Sequence, residues 1–304
     1  MNKFLDHLCT FRLSLVVVFF SCVSIPFHFS KGGYNNLDMR KKVVVGNWKM
    51  NLLRGDAGHR IGQLKELIGA KCGTECDVEI GICPTFLSLA TAVDASRGSL
   101  IGIGAQDVFW KESGAFTGFV SASMIEDAGA KYVLIGHSER RGRFGKLEVP
   151  ESTLGFFAET NETVNLKLKA VLGSSLVPIV CIGENLSERE AGDTDRVIGE
   201  QMAGAIEGVD ASDLARVIFA YEPVWAIGTG KVCDSVEANR VCGVVRQCLP
   251  ESVRDVIRIQ YGGSVSPANA QELFSQPEID GGLVGGASLK LEDFMQVIVA
   301  ASSV

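Results

Sequence analysis

Eight short apolar, β-branched runs recur along the chain, and the stretches between them carry the apolar spacing of helices. The runs cover residues 42–46, 78–83, 100–104, 132–136, 177–181, 217–221, 257–261 and 282–284. They lack a strict apolar–polar alternation, so they suit strands covered on both faces, as in a parallel sheet. Helical character falls at residues 57–68, 86–95, 122–128, 162–172, 193–206, 236–249, 267–274 and 291–300. The Asp234-Ser235 pair offers a helix start and Leu249-Pro250 a stop. A strand followed by a helix, repeated over about 260 residues, points to an α/β fold of the closed (β/α)8 barrel type. No Pro- or Gly-rich linker interrupts residues 41–304, which therefore read as one domain.

Residues 1–40 differ from the rest. Lys3 and Arg12 precede an almost wholly apolar run over residues 13–25, too short for a membrane span and suited to a signal-peptide core. We read this segment as a leader, disordered or removed, with Met39 an alternative start. The nine cysteines are scattered, odd in number and without zinc-ligand spacing, which favours a reducing compartment. A leader and a reducing compartment are reconciled by an organelle reached through that leader, plastid-type; the alternative is cytoplasmic. The net charge of -7 argues against nucleic acid, or an anionic membrane, as partner of the barrel. Two glycosylation sequons, at Asn161 and Asn185, are short enough to arise by chance.

Barrels of this kind work from the C-terminal ends of their strands. The first run ends in Gly46-Asn47-Trp48-Lys49-Met50, the fourth in Gly136-His137-Ser138-Glu139-Arg140-Arg141 and the sixth in Glu222. These supply a cation, an imidazole and a carboxylate. The last two runs end in Tyr261-Gly262-Gly263-Ser264 and Val284-Gly285-Gly286-Ala287-Ser288, where bare backbone N–H groups at turns suit a phosphate. After Glu222 come Pro223, Val224, Trp225, Ala226, Ile227, Gly228, Thr229 and Gly230: a stiff, apolar-tipped flap with a soft far hinge. Such a flap excludes water from a small charged substrate. A carboxylate beside a carbonyl compound removes an α-proton, and donors already in place must meet the charge that moves to oxygen. His137, Asn47 and Lys49 suit that task, and the chemistry needs no metal. Taken singly, each residue also has an ordinary explanation: a core strand ending in Glu, a structural His, a surface Lys.

Together these motifs resemble the triosephosphate isomerase family over residues 43–299. The resemblance is carried by Gly46-Asn47-Trp48-Lys49, Gly114-Ala115-Phe116-Thr117-Gly118, His137-Ser138-Glu139-Arg140-Arg141, Cys181-Ile182-Gly183-Glu184, the Glu222 flap, Tyr261-Gly262-Gly263-Ser264 and Leu283-Val284-Gly285-Gly286-Ala287-Ser288-Leu289, in order. It implies that Glu222 shuttles a proton between two carbons of dihydroxyacetone phosphate and D-glyceraldehyde 3-phosphate, through an enediolate. A Glu base beside a neutral imidazole is that family's own established pairing. It further implies that His137 polarises the carbonyl, that Lys49 and Asn47 stabilise oxyanion and phosphate charge, and that Glu139 tunes Lys49. The segment from Pro223 to Gly230 would be the lid, and backbone amides of Gly228, Ser264, Gly285 and Gly286 would hold the phosphate. Ile227 and Leu283 would close over the base, with Tyr261 tying down the closed lid. The loop around Thr117 would enter a partner subunit, making a homodimer. No cofactor is implied, and Glu184 and Cys181 read as structural.

Three departures stand out. The leader is foreign to the bare barrel. About a dozen extra residues, 146–158, follow the Phe144-Gly145 pair, on the active-site side. They leave open whether Glu159 or Glu162 is the family's interface acid. Phe119 stands where the interface loop usually carries an acid.

Overall fold

The computed structural model describes residues 40–304 apart from Thr74. The expected leader lies outside the described residues except for Arg40. From there the chain lays down β1 (Val43–Asn47), β2 (Glu79–Cys83), β3 (Ile101–Ala105), β4 (Tyr132–Ile135), β5 (Val177–Ile182), β6 (Ile218–Tyr221), β7 (Arg258–Tyr261) and β8 (Gly281–Val284). Each pairs in parallel with the next, and β8 closes on β1 with Val45 opposite Leu283. The expected barrel is the observed one. Strand ends shift by a residue or so because ladder bonding sets them: Asn47 still finds Cys83 opposite it, and Ala105 finds Val133.

Ten α-helices cover the outside among the described residues. They are α1 (Arg54–Cys72), α2 (Leu89–Ser96), α3 (Ala122–Asp127), α4 (Asn161–Leu172), α5 (Leu186–Glu190), α6 (Thr194–Ile206), α7 (Ala211–Leu214), α8 (Ser235–Gln247), α9 (Ala270–Phe274) and α10 (Leu291–Ser302). The short α5 and α7 carry too few turns to show a periodic pattern in sequence. Both sequon asparagines serve local structure: Asn185 caps α5 by accepting from the Glu188 amide, and Asn161 accepts from Arg141.

The strand pattern explains why both faces are apolar. Val43 and Val45 point into the barrel with Ile179, Ile218 and Leu283, whereas Val44 joins the layer between sheet and helices with Ile61, Phe294 and Ile298. The interior also holds a Tyr132 ring, admitted by glycines on the neighbouring strands. A Cβ at Gly102 would stand 2.6 Å from Tyr132 Cε2, and one at Gly81 3.0 Å from the same atom. The Tyr132 hydroxyl donates to Glu79 at 2.5 Å, and Glu79 also pairs with Arg258 and Lys131. This polar plug closes the end of the barrel away from the site.

After β4 the backbone makes an excursion whose ends meet. Gly142 lies against the Phe157 carbonyl oxygen, 3.4 Å from where its Cβ would be, and the Glu159 amide donates to the Arg140 carbonyl at 3.2 Å. The loop thus runs from Gly142 to Phe157. It takes in Phe144 and Gly145, which the sequence reading placed before the extra residues, and ends in a 3-10 turn over Glu151–Phe157. Phe144 and Phe157 meet edge to face at 5.4 Å, which braces the two legs. Of the two candidate acids, Glu159 is the buried one, paired with Lys167 at 2.6 Å, while Glu162 is exposed in the first turn of α4.

Candidate active site

The C-terminal ends of β1, β4, β6 and β8 bring together Asn47, Lys49, His137, Glu222 and Leu283 around one cavity of about 410 Å3. Ile227, Gly228, Ser264, Gly285 and Gly286 line it as well. Glu222 is 1% exposed, and bare backbone hems it in on both sides. A Cβ at Gly183 would overlap the Glu222 carbonyl oxygen, and one at Gly262 would stand 3.0 Å from Glu222 Cγ. Strand β5 therefore fixes the base from one side and β7 from the other.

Both carboxylate oxygens of Glu222 are engaged. His137 Nε2 lies 2.9 Å from Oε1, and the Ser138 amide donates to Oε2 at 2.9 Å. The tautomer of His137 follows from its other nitrogen. The Glu139 amide donates to Nδ1 at 3.2 Å, so Nδ1 is an acceptor and the ring proton sits on Nε2. The Nε2 N–H faces the site. Burial is the largest single influence on Glu222 and pushes its pKa up. His137, the Ser138 amide and Lys49 outweigh it and hold the carboxylate below its ordinary range.

Lys49 carries its charge in a left-handed backbone conformation, φ 51°, which is strained for any residue but glycine. The neighbours that hold it there are identifiable. Its amide donates to Asn47 Oδ1 at 3.0 Å, and its carbonyl accepts from Gln106 Nε2 at 2.8 Å. Gln106 also donates to the Cys83 carbonyl and so bridges β1 to β2. Sequence reasoning missed Gln106, since an amide after a strand has no signature of its own. The Lys49 ammonium pairs with Glu139 at 2.6 Å, and its stem passes over Gly285.

The sequence model for the family described as "Triosephosphate isomerase" matches residues 42–301. The chain belongs to the triosephosphate isomerase family. Among its relatives, the triosephosphate isomerase of Citrifermentans bemidjiense is 48% identical over 264 residues, which cover 86% of this chain and 98% of that protein. That of Rhodopirellula baltica is 46% identical, covering 87% and 99%. That of Moorella thermoacetica is 44% identical, covering 86% and 98%.

The segment that the resemblance makes a lid borders the same cavity through Ile227 and Gly228. Pro223 leads into a 3-10 turn over Val224–Ala226. Ile227 is half-buried, Gly228 and Gly230 take positive φ and are exposed, and Thr229 donates to the Trp225 carbonyl at 2.7 Å. The near end is tied down: the Val224 amide donates to the Glu184 carbonyl at 3.1 Å, and Ser264 Oγ donates to the Ala226 carbonyl at 3.0 Å. The Tyr261 hydroxyl faces the Cys233 thiol beyond the lid's far end, and burial pushes that thiol up to about 12. Gly286 opens a 3-10 turn over Gly286–Leu289, whose first N–H groups have no partner within the turn.

Thr117 does not reach this cavity. It is exposed and lines a second one, of about 620 Å3, which opens onto Lys49, His137 and Glu139 from the other side. Met50, Phe119 and Phe156 border the same groove.

Proposed function

We propose that Glu222, His137 and Lys49 carry the proton transfers by which this isomerase interconverts dihydroxyacetone phosphate and D-glyceraldehyde 3-phosphate. The observation that carries the proposal is the convergence of the His137 N–H and the Lys49 ammonium on one cavity with a buried Glu222 carboxylate. Glu222 takes the proton from the carbon next to the carbonyl. The electron pair left behind forms the enediolate double bond, and charge moves to the carbonyl oxygen. The His137 Nε2 proton passes to that oxygen and the ring takes the proton of the neighbouring hydroxyl in return, with Asn47 and Lys49 beside it. As Glu222 returns the carbon proton to the neighbouring carbon, the former hydroxyl oxygen becomes the new carbonyl.

The hydrogen bonds of the free site fit this cycle. A carbonyl oxygen arriving at His137 takes the N–H that Glu222 now holds. The carboxylate then loses one of the donors that depress its pKa, while burial, which raises it, remains or grows. Binding the substrate therefore strengthens the base. Closure of Ile227 toward Leu283 removes water and adds to the same effect. The amides of Gly228, Ser264, Gly285 and Gly286 hold the phosphate opposite, and Glu139 orients the Lys49 ammonium.

A homodimer belongs to the same proposal. Met50 is 94% exposed, Phe156 80% and Phe119 54%, and apolar exposure of this kind beside a groove suits a second subunit. In it, the Thr117 loop of one copy enters the groove of the other, and Phe119 makes that contact more apolar. Sedimentation of the full chain at micromolar concentration should give twice the monomer mass; a monomer with full activity would remove this part. Residues 1–40 serve as the leader to a plastid-type organelle, supported by the basic-then-apolar order of Lys3, Arg12 and residues 13–25. A reporter fused to them that stayed diffuse in the cytosol would exclude it.

The activity itself is tested by a coupled isomerase assay on the full chain and on Glu222→Asp, which pulls the carboxylate back by about one methylene. A misplacement of about 1 Å costs roughly a hundredfold. High turnover for the parent and a loss of that order in the variant are expected. Equal, negligible rates would point instead to a barrel that only binds its ligand.

A further inference from the structure

Two departures from the family pattern meet at one place in the structure. Phe119, in the loop where an acid is usual, and Phe156, in the excursion between Gly142 and Phe157, border the same groove of about 620 Å3. The cations of that groove are already paired within the chain. Lys49 holds Glu139 at 2.6 Å, and Arg140 holds Asp107 at 2.9 Å. Behind them Lys167 pairs with both Asp107 and Glu159 at 2.6 Å, so these four charges balance in one cluster. An acid arriving from outside would find no unpaired cation among the described residues of the groove. What stands open there is apolar: the Phe156 side chain is 80% exposed.

The loop beside the groove has the matching character. Residues 111–119 are exposed without a break, and no side chain from Ser113 to Ser123 is charged. The loop is also shaped in advance: the buried Phe109 stacks on Phe119 at 4.3 Å and meets Phe116 at 4.8 Å. A loop already packed loses little freedom on binding. The excursion is braced as well. Arg143 donates to Glu188 at 2.6 Å and to the Gly183 carbonyl at 3.4 Å, which pins its first leg. Phe157 meets Phe144 at 5.4 Å and Phe156 at 5.2 Å, both edge to face, which holds its last. One face of the chain thus carries an uncharged projection and an aromatic-walled groove, the two halves of a two-fold contact.

We propose that the segment 142–157 is a wall of the subunit interface, with Phe156 of one copy packed against the partner's Phe119. This rests on the homodimer reading and gives it a contact particular to this chain. An aromatic pair that leaves water together anchors an interface of this kind. An acid at position 119 would have to leave water for a groove whose cations are already paired, so the contact also selects this chain's own loop over one that carries an acid. The groove opens onto Lys49, His137 and Glu139, and the filled groove shields them from solvent.

The test is a double-mutant cycle on the full chain, with the dimer dissociation constant read by sedimentation for the parent, Phe156→Ala, Phe119→Ala and the two together. Each single change should weaken the dimer roughly tenfold or more. The pair together should fall short of the product of the two effects by about threefold or more. Phe119→Glu should weaken the dimer further than Phe119→Ala. A dissociation constant that Phe156→Ala leaves unchanged, or two effects that simply multiply, overturns the wall while leaving the dimer and the isomerase reading intact. If the variants do not fold, hydrogen exchange of the parent decides. The amides of 142–157 should exchange more slowly as the chain is concentrated through its dissociation constant, and equal rates on both sides would overturn the wall. A parent that stays monomeric with full activity removes the dimer and the wall with it.

Discussion

Trp225 donates its indole N–H to the Glu184 carboxylate at 2.8 Å, and the Arg189 guanidinium lies over the same ring at 4.3 Å. The near end of the lid is thus clamped by Trp225 to the wholly buried Glu184 at the end of β5. Burial raises the Glu184 pKa, against the Trp225 and Tyr221 hydrogen bonds that lower it. Trp225→Phe keeps the ring and deletes the N–H, leaving Glu184 with one donor fewer. A hydrogen bond to a charged group is worth about 1.5–3 kcal/mol, so chemical denaturation should show a loss in that range. Because no reacting group moves, the isomerase rate should fall less than about tenfold, well short of the loss from an oxyanion donor.

Lys49 combines a functional charge with a strained backbone, and two substitutions separate these. Lys49→Gln removes the ammonium from the oxyanion and should cost roughly 3 kcal/mol of barrier, a fall in kcat/KM of two orders or more. Lys49→Gly relieves the left-handed strain as well as removing the charge, so it should be the more stable of the two to urea while being no more active. A glycine variant with near-parental turnover would mean the charge is not used.

The Glu79 plug gives the barrel an acid limb. Burial raises the Glu79 pKa, but Tyr132, Arg258 and Lys131 outweigh it and take it down to about 2, from an ordinary 4.5. A carboxyl depressed on folding stabilises the fold fully above its unfolded pKa and loses that contribution as pH falls through the folded one. The window is therefore from about 4.5 down to about 2, with on the order of 3 kcal/mol at stake. Glu79→Gln should flatten the pH dependence of unfolding across that window. The same slope in parent and variant would count against the plug.

Gly102 makes room for the Tyr132 ring inside the barrel. Gly102→Val places branched carbon where the ring lies, and overpacking of this kind costs about 1–3 kcal/mol. The expected result is a lower denaturation midpoint with kcat little changed in the folded fraction. The overpacked ring lies toward the plug end of the barrel and not among the reacting groups.

What could be read in advance follows from where the information lies. The strands were readable because a barrel buries both faces, so runs such as 177–181 and 217–221 are apolar throughout. Lys49, His137 and Glu222 were readable because each follows such a run directly and belongs to a scarce chemical type. The course of the loop through Gly142 and Phe157 was not, because Phe144–Phe157 packing and the Arg143 bond to Glu188 set it, and these are contacts distant in sequence. Glu184 was read as structural for a related reason: its tie to Trp225 spans 41 positions and leaves no local pattern. Gln106 escaped notice altogether, since its work is to bond two carbonyls.

The most direct test of the proton-transfer account is to run the reaction in deuterium oxide and read the product by NMR. With the parent enzyme, a proton passing through the Glu222 carboxylate should exchange with solvent, so deuterium should appear at the carbon that Glu222 reprotonates. Glu222→Gln should lose both turnover and incorporation. Product formed at the parental rate by Glu222→Gln, or a parent product carrying no solvent deuterium at that carbon, would contradict the account.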